Sequence, residues 1–507
     1  MRTRLIQYFR AALISAALLC AACSTLEPVD LPPDYTPEAP PAGTWQSLAE
    51  ERPGEWYALL NEGPSALDWR LRAIDSATES IDVQTFLWTF DTVGTLVLDH
   101  LLSAAERGVE VRILVDDSFL LGEDQVLLEL VEHANIEYRI YNPYKRRYDS
   151  AMTRAALNLA EFHRLDHRMH NKAMIVDNSV AIVGGRNLAD EYFGLHAEAN
   201  FRDLEVLVGG AIVLDISAEF DRYWNDRWAV PVEMLSHVSH DPADLEAARA
   251  LDEVNLQVHT EQTHSDRLRA WRDLAAGAVS GKATLFADDP PEGNPQDVSD
   301  APVQVADALV DVFDAASEEI LVVSPYLIPT PTLEGAVERA VRRGVRIRML
   351  TNSIRSNNHI TAHSAYRKHI SRLLDNGAEM HEVRIDADDR DVYMLSPIEE
   401  KILALHAKAL VIDNDKVFVG SANLDPRSLR INTEMGLLIE SRDLNAAFRE
   451  AVAPDFRKSN AWQLELDEQG RVLWVSDDVI LNEQPAASRL QMLEDWFFAH
   501  LPIEDEM

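Results

Sequence analysis

Cysteine is nearly absent: the chain has 2 in 507 residues, and both, Cys20 and Cys23, lie close to the amino terminus. The rest of the chain has no thiol pair, so no internal disulfide can hold it. Basic charge is scarce too. Against 85 Asp+Glu stand 47 Lys+Arg, a formal charge of 47 − 85 = −38. A field of that sign repels polyanions, which argues against nucleic acid as a partner and against purely electrostatic attraction to anionic membranes. The apolar run near the amino terminus, Ala11 to Ala22, is also short. A bilayer span needs roughly 20 such residues. Hydrophobic residues make up 47% of the chain, which is ordinary for full cores and excludes disorder throughout, and the length suggests two to four domains.

The apolar run follows Arg2, Arg4 and Arg10 and ends before Cys23, which is the layout of a secretory signal over residues 1–22. Leu19-Cys20-Ala21-Ala22-Cys23 resembles a bacterial lipobox, with Cys20 where an aliphatic residue is usual, and the resemblance implies that Cys23 becomes the lipidated first residue. Ser24 behind it resembles the sorting pattern of outer-membrane lipoproteins. The expectation is a periplasm-facing, lipid-anchored protein of the bacterial cell envelope. Residues 23–45 form the lipidated start and a linker in which Pro28, Pro32, Pro33, Pro37, Pro40 and Pro41 predict a semi-extended spacer.

Beyond the linker the chain repeats itself. Arg107-Gly108-Val109-Glu110-Val111-Arg112-Ile113 recurs as Arg343-Gly344-Val345-Arg346-Ile347-Arg348-Met349, an offset of 343 − 107 = 236. HNKAMIVDNSVAIVGGRN from His170 recurs as HAKALVIDNDKVFVGSAN from His406, and 406 − 170 is again 236. Each unit alternates β-rich runs with amphipathic helices, which predicts an α/β fold: duplicated domains, each a mixed β-sheet flanked by helices. The units are placed at residues 46–235 and 305–507. Residues 236–304 are an acidic connecting segment of helical inserts and loop.

The repeated segments carry the chemistry. His170 and Lys172 should share one strand face, and His406 and Lys408 repeat them, while Asp177 and Asp413 face away at the hairpins. Gly184-Gly185 and Gly420-Ser421 follow, then Asn187 and Asn423. An imidazole, an ammonium and an amide beside an unencumbered backbone suit a phosphate group, whose oxygens could approach backbone N–H groups at Gly185 and Ser421.

These two copies match H-x-K-x4-D-x6-G-[GS]-x-N, and the chain is thereby identified as resembling the phospholipase D superfamily. It is similar to bacterial cardiolipin synthases of the C type in Arg168 to Lys172, Tyr192-Phe193-Gly194, Leu350 to Ser353, Asp425 to Ser428, Asn432 to Gly436 and Ala461 to Leu464. The resemblance implies that the halves pack face to face around one active site. One histidine attacks phosphorus and the other serves as acid and base; His170 is taken as nucleophile and His406 as acid/base, although pseudo-symmetry allows either. Lys172, Lys408, Asn187, Ser421 and Asn423 would stabilise the phosphoryl oxygens, and Asp177 and Asp413, although part of the signature, are read as fixing the hairpins.

A carboxylate should orient each ring. Glu434, 28 residues after His406, matches the family's orienting acid, and Asp203 is its equivalent in the first half, with Glu205 second. The implied substrates are phospholipids: phosphatidylglycerol as acceptor, phosphatidylethanolamine as donor and cardiolipin as product, with a hydrolytic phospholipase D or other phosphodiesterase as the alternative. No cofactor and no metal are expected, since Lys172 would repel a cation from His163, His167 and His170. Three softer features remain. Tyr141 to Arg147 is a basic aromatic loop suited to lipid headgroups or to solvent. His363 resembles a family position but also fits a helix cap. Leu490 to Leu501 suits packing on the body better than an interfacial helix.

Overall fold

The computed structural model describes residues 25–36, 43–235, 263–291, 303–357 and 359–501. Cys20 and Cys23, with the signal, lie outside these residues. Ser80–Thr85, Glu110–Asp116 and Ile136–Tyr141 run parallel at the heart of a nine-stranded sheet. Beside Ser80–Thr85 the sheet continues antiparallel through Ala173–Val176, Val180–Gly184, Glu205–Gly209 and Trp56–Leu60. The second half repeats this plan in ten strands, with Glu319–Val323, Arg346–Asn352 and Glu379–Val383 parallel and Ala409–Ile412, Lys416–Gly420 and Met435–Glu440 antiparallel beside them.

Local sequence explains the elements. In Thr92–Glu106, Asp91 caps the helix by accepting from the Gly94 N–H, and Val93, Val97, Leu98, Leu101 and Leu102 bury one face. The helix stops at Arg107-Gly108, where Gly108 takes φ 95; Gly344 ends Pro331–Arg342 in the same way at φ 92. The strands are apolar on both sides because both sheet faces are covered. One central core joins Ile175, Val183, Val206 and Val208 of the first sheet to Val411, Val417, Val419 and Leu437 of the second. The sheets therefore face each other across a shared core, with the helices Gly63–Ser76 and Thr92–Glu106 packed in the first half's own core and Gln304–Ala315 and Pro331–Arg342 in the second's.

Two segments differ from expectation. The connecting segment, read as helical inserts and loop, contains strands as well: Val279–Ser280 adds to the edge of the first sheet and Lys282–Ala287 to the edge of the second. A short connection thus ties both sheets together. The proline-rich linker, expected as a semi-extended spacer, is docked on the body over residues 25–36. Its polar groups are satisfied by the body: Val29 N donates to Arg227 O at 2.9 Å, Asp34 N to Asn225 Oδ1 at 2.8 Å, and Thr36 Oγ1 to Asp82 Oδ2 at 2.8 Å. Arg112, buried and paired within the body with Asp82 and Asp221, also takes Asp34 of the linker at 3.4 Å, so the linker joins an ion network built by the body.

Candidate active site

His170 and Lys172 lie just before Ala173–Val176, and His406 and Lys408 just before Ala409–Ile412, rather than on the strands themselves. Both pairs therefore emerge beyond the carboxyl ends of Ser80–Thr85 and Glu319–Val323, to which those strands pair. All four side chains are buried. Asp116 accepts from Met169 N at 3.0 Å, and Asn352, 236 residues later, accepts from Leu405 N at 2.8 Å, so each half pins the residue preceding its histidine with the same device. The sequence reading missed both roles, although the common offset would have paired Asp116 with Asn352.

The carboxylates cross over. Glu434 accepts from His170 Nδ1 at 2.8 Å, and Asp203 from His406 Nδ1 at 2.7 Å. Each ring is therefore held by the acid of the other half, an assignment the sequence left open when it named Asp203 and Glu434. Main-chain pairing between the halves is the cause. Ala199–Arg202 runs parallel to Ile402–Leu405, and His406 N donates to Arg202 O at 2.9 Å, which delivers the next residue, Asp203, to His406. Met169 and Thr433 form the equivalent parallel bridge, with His170 N donating to Thr433 O at 2.9 Å, and deliver Glu434 to His170. Glu205, the second choice, instead pairs with Arg70 and Arg186.

The residues expected at the phosphate are employed differently. The backbone N–H groups of Gly185 and Ser421 go to Leu204 O at 3.3 Å and Met435 O at 2.9 Å, so they are not free donors. Gly185 lacks a side chain for another reason: a Cβ there would stand 2.3 Å from Asp203 Oδ1. Its counterpart Ser421 donates its hydroxyl to Glu434 Oε2. Asn187 donates to the Tyr192 hydroxyl at 2.8 Å, while Asn423 is buried with an Oδ1 that has no partner among the described residues. Asp288, in the connecting segment, was also missed; it accepts from Glu434 N at 3.0 Å and so fixes the backbone of the orienting acid.

Asp177 and Asp413 occupy the hairpin turns with left-handed backbones, φ 49 and 46. Asp177 accepts from the N–H groups of Thr78, Glu79 and Ser80, each at 2.8 Å, and Asp413 does the same for Ser317, Glu318 and Glu319. Neither reaches the histidines.

Burial sets the charge state. It pushes His170 down to about 4 and His406 to about 3, against the pull of the facing carboxylates. Burial would raise both acids, yet the facing rings, together with Lys408 and Arg186 at Asp203 and Lys172 and Ser421 at Glu434, hold them below the usual carboxylate range. The two partners of each pair thus point different ways. A neutral ring donating Nδ1–H to an ionised carboxylate satisfies both, because the neighbouring cations keep the acid charged without an imidazolium. Burial lowers Lys172 to about 7 and Lys408 to about 8, and Lys408 also repels Lys172. An anionic phosphodiester between them would restore their basicity.

The two histidines are not equivalent. Each lysine donates to the carbonyl of its own histidine, but Lys408 Nζ also lies 3.0 Å from His406 Nε2, whereas His170 Nε2 has no hydrogen-bond partner among the described residues. Rings wall the site: Phe86 meets His170 edge-on at 4.8 Å, and Tyr192 meets His406 at 4.9 Å. Among the described residues no group of three or more His, Cys, Asp or Glu could hold a metal.

Comparison with known proteins agrees with this geometry. The family described as cardiolipin synthase, PLD-like domain, matches residues 71–224 and 309–455, one match per half. The chain is 34% identical to cardiolipin synthase C of Escherichia coli (strain K12) over 470 residues, covering 90% of this chain and 97% of that relative. The chain belongs to the cardiolipin synthase family. As a member it is a phosphatidyltransferase of the phospholipase D superfamily. It is also 25% identical to cardiolipin synthase B of Shigella flexneri over 407 residues, 79% of this chain and 80% of that one. Phosphatidylserine synthase from Haemophilus influenzae Rd KW20 shares the fold at a TM-score of 0.55 and 14% identity, over 89% of this chain and 97% of that one.

Proposed function

We propose that this phosphatidyltransferase makes cardiolipin, moving a phosphatidyl group from phosphatidylethanolamine through a phosphohistidine on His170 to the terminal hydroxyl of phosphatidylglycerol. The observation that carries the reading is the crossed pairing of histidines and carboxylates, which places two oriented imidazoles from separate halves among two buried lysines. Asp203 and Glu434 serve as the histidine-orienting acids. His170 presents a free Nε2 lone pair and attacks phosphorus. Charge builds on the phosphoryl oxygens and is met by Lys172 and Lys408. His406, protonated as the anionic substrate offsets the lysine charge, gives its proton to the departing ethanolamine oxygen. The neutral ring then takes the proton of the incoming glycerol hydroxyl, whose oxygen attacks phosphorus and releases His170 unchanged.

Transfer rather than hydrolysis requires that an alcohol be positioned and water excluded, for which buried side chains and the aromatic walls of Phe86 and Tyr192 are suited. We further propose that Cys23 is the acylated first residue and holds the enzyme at a bacterial envelope membrane. Purified enzyme in mixed vesicles should release ethanolamine and form cardiolipin without matching phosphatidic acid. Dominant phosphatidic acid with phosphatidylglycerol abundant would make the enzyme a hydrolase. Equal synthesis from phosphatidylglycerol alone would remove only the donor assignment. Acid-quenched reactions should carry phosphate on His170, and mass spectrometry should find a lipid-bearing peptide beginning at Cys23.

A further inference from the structure

Two helices of this protein are inside-out. Ala151–Leu157 buries only Arg154, whose guanidinium donates to Asp117 Oδ1 at 3.2 Å and to Tyr148 O at 3.0 Å. Around that single charged tether Met152 is 85% exposed, and just beyond the helix Leu159 and Phe162 are 69% and 53% exposed. In the second half, Arg489–Ala499 buries only Asp495, which accepts from His363 Nδ1 at 3.0 Å, Ser364 Oγ at 3.0 Å and Gln484 Nε2 at 2.8 Å and pairs with Arg367. Leu490, Leu493, Trp496 and Phe497 point outward, each more than half exposed. The preferred expectation for this helix was packing on the body, with no face specified. The structure docks it by its polar side, and His363 is that dock rather than a helix cap.

A soluble surface normally buries such faces, and exposed apolar patches mark interaction sites. Contacts of the body link each face to the active site: Arg154 holds Asp117, next to the Asp116 that pins Met169. Phe119, itself 48% exposed, meets Phe86 at 5.4 Å, and Phe86 meets His170, so aromatic rings run from the surface to the nucleophile. In the other half Gln491 Nε2 donates to Ile354 O at 3.0 Å, two residues from the Asn352 that pins Leu405 before His406. The first face also sits where the described chain begins: Lys145 Nζ reaches Thr25 O, and Leu26 N donates to Glu161 Oε1 at 2.9 Å. In the basic loop read as suited to lipid headgroups or to solvent, Lys145 and Arg146 are engaged by main-chain oxygens, and Arg147 is buried against Asp117 and Asp124.

We propose that these two faces are a membrane-docking rim: Met152, Leu159 and Phe162 on one side of the active-site mouth and Leu490, Leu493, Trp496 and Phe497 on the other insert into the interfacial layer of a phospholipid bilayer. The proposal rests on the phospholipid-transfer reading and adds the surface by which substrate is reached. At a net charge of −38 the chain cannot rely on anionic headgroups for attraction, so apolar insertion is the available mode. Aromatic side chains suit the interface because ring and polar edge meet different surroundings.

The test uses the full chain carrying Cys23→Ala, so that no acyl anchor contributes, and flotation with phosphatidylcholine vesicles containing phosphatidylglycerol. Trp496→Ser with Phe497→Ser, and separately Met152→Ser with Phe162→Ser, should each lower the vesicle-bound fraction about tenfold, the scale of two lost interfacial side chains. Turnover of short-chain phosphatidylethanolamine with short-chain phosphatidylglycerol, both dispersed below their micellar concentrations, should stay within about twofold, since a merely structural role would move it too. Trp496→Leu should retain binding. Unchanged flotation overturns the proposal, as does parallel loss of turnover on dispersed lipid. A change from dimer to monomer with flotation intact would assign the faces to a second copy of the chain and overturn it as well. A parent protein that floats, loses flotation in the variants and turns over no phospholipid keeps the rim and removes the transferase reading.

Discussion

Replacing Glu434 by Gln tests the crossed pairing directly. The carboxylate is fully buried, takes His170 Nδ1–H at 2.8 Å and is itself held by Ser421 Oγ and by the Asp288 contact to its backbone. A hydrogen bond to an ionised group contributes about 1.5–3 kcal/mol. One tenfold step in rate corresponds to about 1.4 kcal/mol, so loss of that bond should slow attack on phosphorus about 10–150-fold. The amide can also present an N–H to the ring and stabilise the tautomer with the proton on Nε2, which removes the nucleophilic lone pair, so the upper end of that range is expected. Rapid acid quench should show slowed formation of the phosphoenzyme, and nitrogen-15 spectra of labelled imidazoles should show His170 perturbed and His406 unchanged. Asp203→Asn should do the reverse. If Glu434→Gln perturbs His406 and leaves His170 alone, the crossing is wrong.

Three further outcomes follow from the same geometry. kcat/KM reports the free enzyme; it should rise with pH through about 4 as His170 becomes neutral, decline above that because His406, neutral in the free enzyme, must take up a proton to act as acid, and decline more steeply through about 7 to 8 as Lys172 and then Lys408 lose theirs. Lys172→Arg keeps its charge and should move the alkaline limb up towards about 8, and an unmoved limb would exclude Lys172 as its origin. Gly185→Ala places a methyl 2.3 Å from Asp203 Oδ1 and should displace that acid from His406, with kcat reduced about 10–150-fold; a rise in KM with the His406 spectrum unchanged would instead favour backbone contact with phosphate. Asp177→Ala strands the Thr78, Glu79 and Ser80 N–H groups and should cost about 2–4 kcal/mol in denaturant unfolding while kcat of the folded fraction stays within about threefold. Loss of kcat at unchanged stability would make Asp177 catalytic.

Much of the fold was legible because its determinants are local or repeat. The Asp-Asn turns, the Arg-Gly helix ends and the alternation of apolar strands with amphipathic helices each depend on a few neighbouring residues. The common offset of 236 then identified the second half from the first. The linker was misjudged because proline content reports backbone stiffness and says nothing of a distant arginine. Arg112 becomes a partner for Asp34 only once Glu110–Asp116 is folded beside residues 25–36. Which face of Arg489–Ala499 packs on the body was not legible for a similar reason: only the buried His363 and the half-buried Arg367 reveal that Asp495 faces inward.

The division between sequence and tertiary structure falls inside the active site itself. By sequence alone the chain specified two histidines and two lysines in duplicated hairpins, because a side chain two positions from another belongs to the same local unit wherever that unit lies. It also supplied Asp203 and Glu434 as candidate acids. Which acid serves which ring was decided only when Ala199–Arg202 paired with Ile402–Leu405 and Met169 bridged to Thr433. Those bonds join segments more than 200 residues apart, and a main-chain donor carries no side-chain signature of its acceptor. Each half on its own has a histidine without its carboxylate, and the site is complete only when the two sheets close on their common core.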